Sequence, residues 1–134
     1  MYNNNQELGK AGENISAYYL EKIGYKILER NFSCKQGEID IIAKDCDEYV
    51  FIEVKTRSNI NFGRPKDAVN LPKQKHIYQS TRYYLHIHKL DNAFVRFDVI
   101  EIYFAHNKYT LKHLKQVDIV KFKQNYGNYN ENIL

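Results

Sequence analysis

The spacing of apolar residues changes several times along the chain. From Gln6 to Ile23 they recur at helical intervals. On a wheel of about 100° per residue, Leu8, Ala11, Ile15, Tyr18 and Tyr19 fall on one side, and Glu7, Lys10, Asn14 and Glu21 on the other. Gly24 is a stop signal for this helix. The period then drops to two. Tyr25–Ser33, Glu38–Lys44 and Tyr49–Arg57 read as strands, with turns at Gln36-Gly37 and across Asp45-Cys46-Asp47-Glu48. FGRP (Phe62–Pro65) is loop, and Pro72 opens a second long helix to about His88, proline being tolerated in a first turn. Ala93–Phe104 is a strong strand in which Val95, Phe97 and Val99 alternate with Arg96, Asp98 and Ile100, and Lys108–Leu111 adds a short edge strand. The order α-β-β-β-α-β predicts an α/β fold, a central mixed sheet flanked by helices.

Four charged residues interrupt the two middle strands: Glu38, Asp40, Glu53 and Lys55 stand where isoleucine or valine would serve a core better. Because side chains alternate across a strand, Glu38, Asp40 and Ile42 share one face, and Phe51, Glu53, Lys55 and Arg57 share one face of the next strand. In a hairpin symmetric about Cys46-Asp47, Asp40 lies opposite Glu53 and Glu38 opposite Lys55. With strands about 4.8 Å apart, two carboxylates come within reach of one divalent cation, and without a cation such facing like charges destabilise the sheet. Oxygen ligands of this kind suit Mg2+ or Mn2+, which keep waters and accept phosphate oxygens. Lys55 would then orient or help deprotonate a water, or neutralise phosphate charge. The competing explanation is an ion-pair network, Lys55 with Glu38 or Glu53. Glu13 is a further exception, at the margin of the packed side of the first helix near Ala17 and Leu20.

Length and charge narrow the picture. The 134 residues suit one domain, expected over residues 1–123, with a polar Asn- and Tyr-rich tail over 124–134 expected to be poorly ordered. There is no apolar run of membrane-spanning length and no signal-peptide pattern at the N-terminus, so a cytoplasmic protein without membrane contact is expected. Cys34 and Cys46 lack zinc-site spacing, so neither zinc nor a disulfide is expected. The net charge of +4 is unevenly spread: Val54–Leu90 holds eight basic residues and one acid, Asp67, leaving twelve basic and fifteen acidic residues elsewhere. Such segregation suits a polyanion surface, with Arg57, Arg64, Lys73, Lys75 and Arg82 as phosphate contacts. Tyr78, Tyr83 and Tyr84 on the second helix either stack on bases or pack in the core.

Asp40, twelve intervening residues and then Glu53-Val54-Lys55 resemble the D…(D/E)xK signature of the PD-(D/E)XK nuclease superfamily. AGENISAYYLEKIGYKILERNF, GEIDIIAKD, VFIEVKTR, FGRPKDAV and VRFDVIEI together resemble the YraN family of small bacterial proteins, from about Leu8 to beyond Ile102. That family is similar to Holliday-junction resolvases. The resemblance implies a restriction-endonuclease-like core and a Mg2+- or Mn2+-dependent endonuclease acting on DNA, with branched DNA as one substrate. Asp40, Glu53 and the Val54 carbonyl match the metal ligands, Lys55 the catalytic lysine, and Glu13 a first-helix glutamate that completes the metal shell. Gln74 and Tyr78 resemble a QxxxY motif placed with the nucleic-acid contacts, and Glu38 belongs to the family pattern as an accessory acid. Ile39 stands where the superfamily name has proline, a position commonly relaxed. A symmetric homodimer is also implied, since two cuts are needed across a junction; aromatics along AFVRFDVIEIYF are the expected contact. The other functions weighed are an RNA or single-strand nuclease, a non-catalytic nucleic-acid-binding protein of the same fold, and an interaction protein of a repair or replication complex.

Overall fold

The computed structural model describes residues 5–58 and 71–117; the FGRP segment with Arg64 and the Asn- and Tyr-rich tail lie outside them. The elements are α1 (Asn5–Lys22), β1 (Lys26–Cys34), β2 (Gly37–Asp45), β3 (Glu48–Ser58), α2 (Leu71–Ile87), β4 (Phe94–Ala105) and β5 (Lys108–Leu114). They form one five-stranded sheet in the order β1-β2-β3-β4-β5. Every neighbouring pair is antiparallel except β3–β4, which runs parallel from Glu48↔Phe94 to Ser58↔Phe104. Parallel neighbours need a long crossover rather than a hairpin, and α2 lies in that connection. The result is an α/β mixed sheet between two helices, consistent with a restriction-endonuclease-like core. The edge strand is longer than its sequence pattern suggests, reaching Leu114.

The two helices cover opposite faces. Ala17 and Leu20 of α1 pack on Ile41, Ala43, Val50, Ile52, Ile100 and Ile102. Tyr84 and Leu85 of α2 pack on Phe32, Ile39, Ile42 and Phe51. Adjacent strand residues such as Ile41 and Ile42 point to opposite faces, and covering both explains the unbroken apolar runs at the middle of β2 and β3. Each helix ends in the same hydrogen-bonded reversal. Tyr25 N–H donates to Leu20 O at 2.9 Å and Gly24 N–H to Glu21 O at 3.1 Å, with Gly24 at φ +100. Leu90 N–H donates to Leu85 O at 2.8 Å and Lys89 N–H to His86 O at 3.1 Å.

The packed stripe of α1 is Gly12, Ser16, Ala17 and Leu20. Tyr18, expected on the packed side, is 62% exposed. The difference follows from close approach: a Cβ at Gly12 would collide with Thr56 Oγ1 of β3, so the helix rests on its small residues and turns Tyr18 outward. The first hairpin turns at Lys35-Gln36, and Gly37, at φ +145, already pairs with Cys34 and opens β2. β4 is an interior strand, bonded to β3 and β5. Of the aromatics expected to make a dimer contact, Phe94 is exposed (71%), whereas Phe97, Tyr103 and Phe104 are partly covered.

Candidate active site

The β2–β3 ladder is symmetric about Cys46-Asp47, running from Asp45↔Glu48 to Ile41↔Ile52. One more step would set Asp40 against Glu53. Instead, Asp40 Oδ2 accepts the backbone N–H of Val54 at 2.8 Å, taking the place of a ladder carbonyl. The alternation of β2 breaks at the same point. Ile39 packs with Ile42 under α2, while Ile41 packs under α1. Across on β1, between the pairs Arg30↔Ile41 and Phe32↔Ile39, Asn31 adopts φ +54. The break in alternation leaves the pairing register unshifted, and at it the Asp40 side chain turns along the sheet to the Val54 N–H. It also corrects the expectation that Glu38, Asp40 and Ile42 share a face. Glu38 is exposed and pairs with Ser33 of β1 rather than facing Lys55.

Three further elements bring charge to this point. Glu53 is buried at 6% exposure, and its Oε2 receives the Lys73 ammonium at 2.8 Å, with Lys55 Nζ at 3.9 Å. Burial, then the charge of Glu53, push Asp40 up to about 7 against the pull of the Val54 N–H; Glu13 pushes the same way and Lys73 opposes. Burial holds the Lys55 ammonium below the ordinary lysine range although Glu53 favours its charge; Lys73 and Arg57 add repulsion. For Lys73 burial also disfavours the charge, but the hydrogen bond and charge of Glu53, with Asp40 and Glu38 behind, outweigh it and raise its pKa. Glu13 of α1, Asp40 of β2, Glu53 and Lys55 of β3 and Lys73 of α2 therefore act on one another. Glu13 reaches this group because Gly12, its neighbour, lets α1 lie against β3 at Thr56.

The remaining basic and aromatic residues divide. Arg57 Nη1 donates to Thr56 O at 3.4 Å, and Gln74 and Lys75 are partly buried on α2. Arg82 donates to Tyr78 OH at 3.2 Å and lies 5.6 Å from its ring centre, covering a tyrosine that is 8% exposed. Tyr84 is in the core, edge-on to Phe32 and Phe51, while Tyr83 is 42% exposed. Arg64 lies outside the described residues.

Among the described residues, no group of three or more His, Cys, Asp or Glu side chains is placed to hold a metal ion. What converges is a pair of carboxylates, Asp40 and Glu53. Mg2+ is commonly held by one or two carboxylates, with water and substrate phosphate completing the shell, so the donor set fits that cation and not an all-protein cage. Cys34 and Cys46 are free thiols, and among the described residues no helix is long and apolar enough to cross a membrane.

A second charged cluster lies on β4, where sequence reasoning saw only alternation. Arg96 Nε donates to Asp98 Oδ1 at 2.9 Å and Arg96 Nη2 to Asp98 Oδ2 at 3.1 Å. Arg96 Nη1 reaches Asp45 at 3.0 Å and Glu48 at 2.9 Å, and Nη2 also donates to Tyr25 OH. Asp98 further holds His113 Nε2 at 2.7 Å and the Gln116 N–H at 3.0 Å, while His113 Nδ1 meets Tyr19 OH at 2.9 Å. Burial works against the Asp98 carboxylate, but hydrogen bonds from His113, Arg96 and Gln116 hold its pKa below the ordinary carboxylate range. Its signal in the sequence was the same as that of Glu53 and Lys55: charges two residues apart inside an apolar strand.

The family model described as "Uncharacterised protein family UPF0102" matches residues 12–102. A UPF0102 protein of Clostridium perfringens (strain SM101 / Type A) is 52% identical over 113 residues, covering 83% of this chain and 93% of the relative. Another, of Caldicellulosiruptor saccharolyticus, is 47% identical over 100 residues, covering 75% and 85%. Among solved structures, SfsA of Pyrococcus furiosus in complex with Ca2+ is similar at 12% identity and a TM-score of 0.39. The match takes in 84% of this chain and 64% of that one, less than two thirds of its length, and is too weak to bear on function.

Proposed function

The chain belongs to the UPF0102 family, the YraN family of the sequence resemblance, and from that premise we propose that it is a metal-dependent nuclease, an endonuclease hydrolysing DNA phosphodiester bonds, with branched DNA among its substrates. The observation that carries this reading is the crowding of two carboxylates at the splayed end of an antiparallel ladder, where burial and Glu53 push Asp40 up to about 7. Like charges are costly to bring together unless a cation is meant to join them.

Asp40 and Glu53 would hold Mg2+ or Mn2+, with the Val54 carbonyl as a further oxygen donor and Glu13 acting through water. Such a cation supplies Lewis-acid stabilisation of phosphate charge and lowers the pKa of a nearby water. Lys55, rooted in β3 beside Glu53, would hold a nonbridging phosphate oxygen or the attacking water. The Val54 N–H fixes the Asp40 carboxyl, leaving its other oxygen for a ligand. Arg57, Lys75 and residues near α2 would contact the flanking phosphates. The reading includes a symmetric dimer for paired cuts and a cytoplasmic location.

One observation favours a second reading, a non-catalytic nucleic-acid-binding protein of the same fold: the Lys73 ammonium meets Glu53 at 2.8 Å, the geometry of a structural ion pair. Incubating the full chain with duplex, flap, four-way-junction and single-stranded DNA and with RNA, in Mg2+ and in Mn2+, separates the two. The nuclease reading expects cation-dependent cleavage that Glu53→Gln abolishes. Retained binding with no cleavage of any substrate favours the second.

A further inference from the structure

Two ammonium groups approach the same oxygen of Glu53, and they differ in kind. Lys55 rises from β3, is 16% exposed, and stands 3.9 Å away, beyond hydrogen-bond distance. Lys73 comes from the first turn of α2, has a side chain that is 44% exposed, and makes a 2.8 Å contact. Its partner Glu53 is 6% exposed. The carboxylate is thus the fixed member of this pair, and the lysine, on a four-carbon stem that opens to solvent, is the one able to leave. The charges of Glu53, Asp40 and Glu38 all act on Lys73, so its ammonium sits where the negative potential of the cluster is concentrated.

We propose that Lys73 is a built-in counter-ion, holding Glu53 while the site lacks a divalent cation, giving way when the cation binds, and then contacting a phosphate of the nucleic acid. The inference rests on the metal-site reading above. An ammonium and a divalent cation repel one another and would both draw on the Glu53 carboxylate, so they compete for it. Without the lysine, the carboxylates of Asp40, Glu53 and Glu13 would face each other with less compensation. Removing the lysine should therefore have two effects of opposite sign: a less stable cation-free protein and a tighter cation site. An ordinary structural ion pair predicts only the first.

The test is a calorimetric titration of Mn2+ into the full chain without nucleic acid, with thermal melting in parallel. Wild type, Lys73→Met and Lys73→Arg are compared. Lys73→Met is expected to bind Mn2+ about tenfold more tightly than wild type, the scale of one partly buried ion pair, and to melt lower without metal. Lys73→Arg, which keeps the cation, should stay near wild type. If Lys73→Met does not fold, Lys73→Gln carries the same comparison. Equal or weaker Mn2+ binding by the charge-removing variant, with wild type binding, overturns the role of Lys73 and leaves the nuclease reading intact. Tightening that survives adding Glu53→Gln overturns both readings, since the ion would then sit elsewhere. No Mn2+ binding by wild type or variant overturns both readings.

Discussion

Asp40 and Asp98 are aspartates in interior strands of one sheet, and their carboxyls are driven in opposite directions. Asp98 is fully buried, yet Arg96 holds it with two hydrogen bonds and His113 and the Gln116 N–H with one each, so it stays ionised below the ordinary range. Asp40 has the Val54 N–H on one oxygen and the carboxylates of Glu53 and Glu13 nearby, and it is pushed up to about 7. Both clusters use charge inside an apolar sheet. The Arg96 cluster uses it to fasten α1, β2, β3, β4 and β5 together, since Tyr19, Tyr25, Asp45, Glu48 and His113 all take part. The Asp40 cluster leaves acceptor capacity and repulsion in place. That is a poor way to stabilise a fold and a suitable way to keep a cation site ready.

The largest expected effects fall on chemistry at one cluster only. Asp40→Asn, Glu53→Gln and Lys55→Ala should each reduce cleavage at least about 10³-fold, roughly 4 kcal/mol of activation free energy. The two acid substitutions should also lose Mn2+ binding, while Lys55→Ala keeps it. Folded Asp98→Asn protein should cleave at the wild-type rate; a loss there equal to that of Glu53→Gln would erase the distinction between the clusters.

Stability should respond in the reverse pattern. Arg96→Met leaves Asp98 buried without its cation and should cost about 3–5 kcal/mol in urea unfolding. A cost below about 1 kcal/mol would mean that the network is not the clamp its geometry describes.

Asp40→Asn should instead stabilise the cation-free protein at pH 8, by on the order of 1–2 kcal/mol. The sign follows from linkage. The folded pKa of about 7 lies above the ordinary 3.8, so between these values the folded state keeps a proton that the unfolded chain has lost. Wild-type stability from this group therefore falls as pH rises from about 4 to about 7, and the penalty is fully present above that. Melting curves of the two proteins from pH 4 to pH 8 should converge at the acid end. A variant less stable than wild type at pH 8 would assign Asp40 to an ion-pair network.

The smallest effect separates the basic residues of α2. Lys75→Ala should flatten the log–log salt dependence of DNA binding by about one unit. Arg82→Ala should also cost about 0.5–1 kcal/mol of stability, through the cover it gives Tyr78. Equal stability of the two variants would remove that difference.

Much of this was readable in the sequence, because the local signals agree with the fold. Alternation located the strands, Gly24 the end of α1, and interruption of apolar runs the pair Asp40 and Glu53. What was not legible depends on backbone irregularity and close approach. The face assignment of Glu38 failed because Asn31 and Asp40 sit at a break in alternation, which a period-two pattern cannot express. Tyr18 turned outward because Gly12 lets α1 settle against Thr56. The inward reach of Lys73 depends on where α2 begins relative to β3, information that no spacing along the chain contains. Arg96 and Asp98 carried a visible signal, but their partner His113 lies on an edge strand reached only through the β4–β5 hairpin.

The central claim is that Asp40 and Glu53 form a site for a divalent cation. Thermal unfolding of the wild-type chain in Mn2+ and in chelator, beside Glu53→Gln, tests it most directly. A cation that binds the folded state alone adds about 2.7 kcal/mol at a hundredfold excess over its Kd, so Mn2+ should raise the wild-type melting temperature and leave that of Glu53→Gln in place. An unchanged wild-type melting temperature, or the same rise in both proteins, would contradict the account.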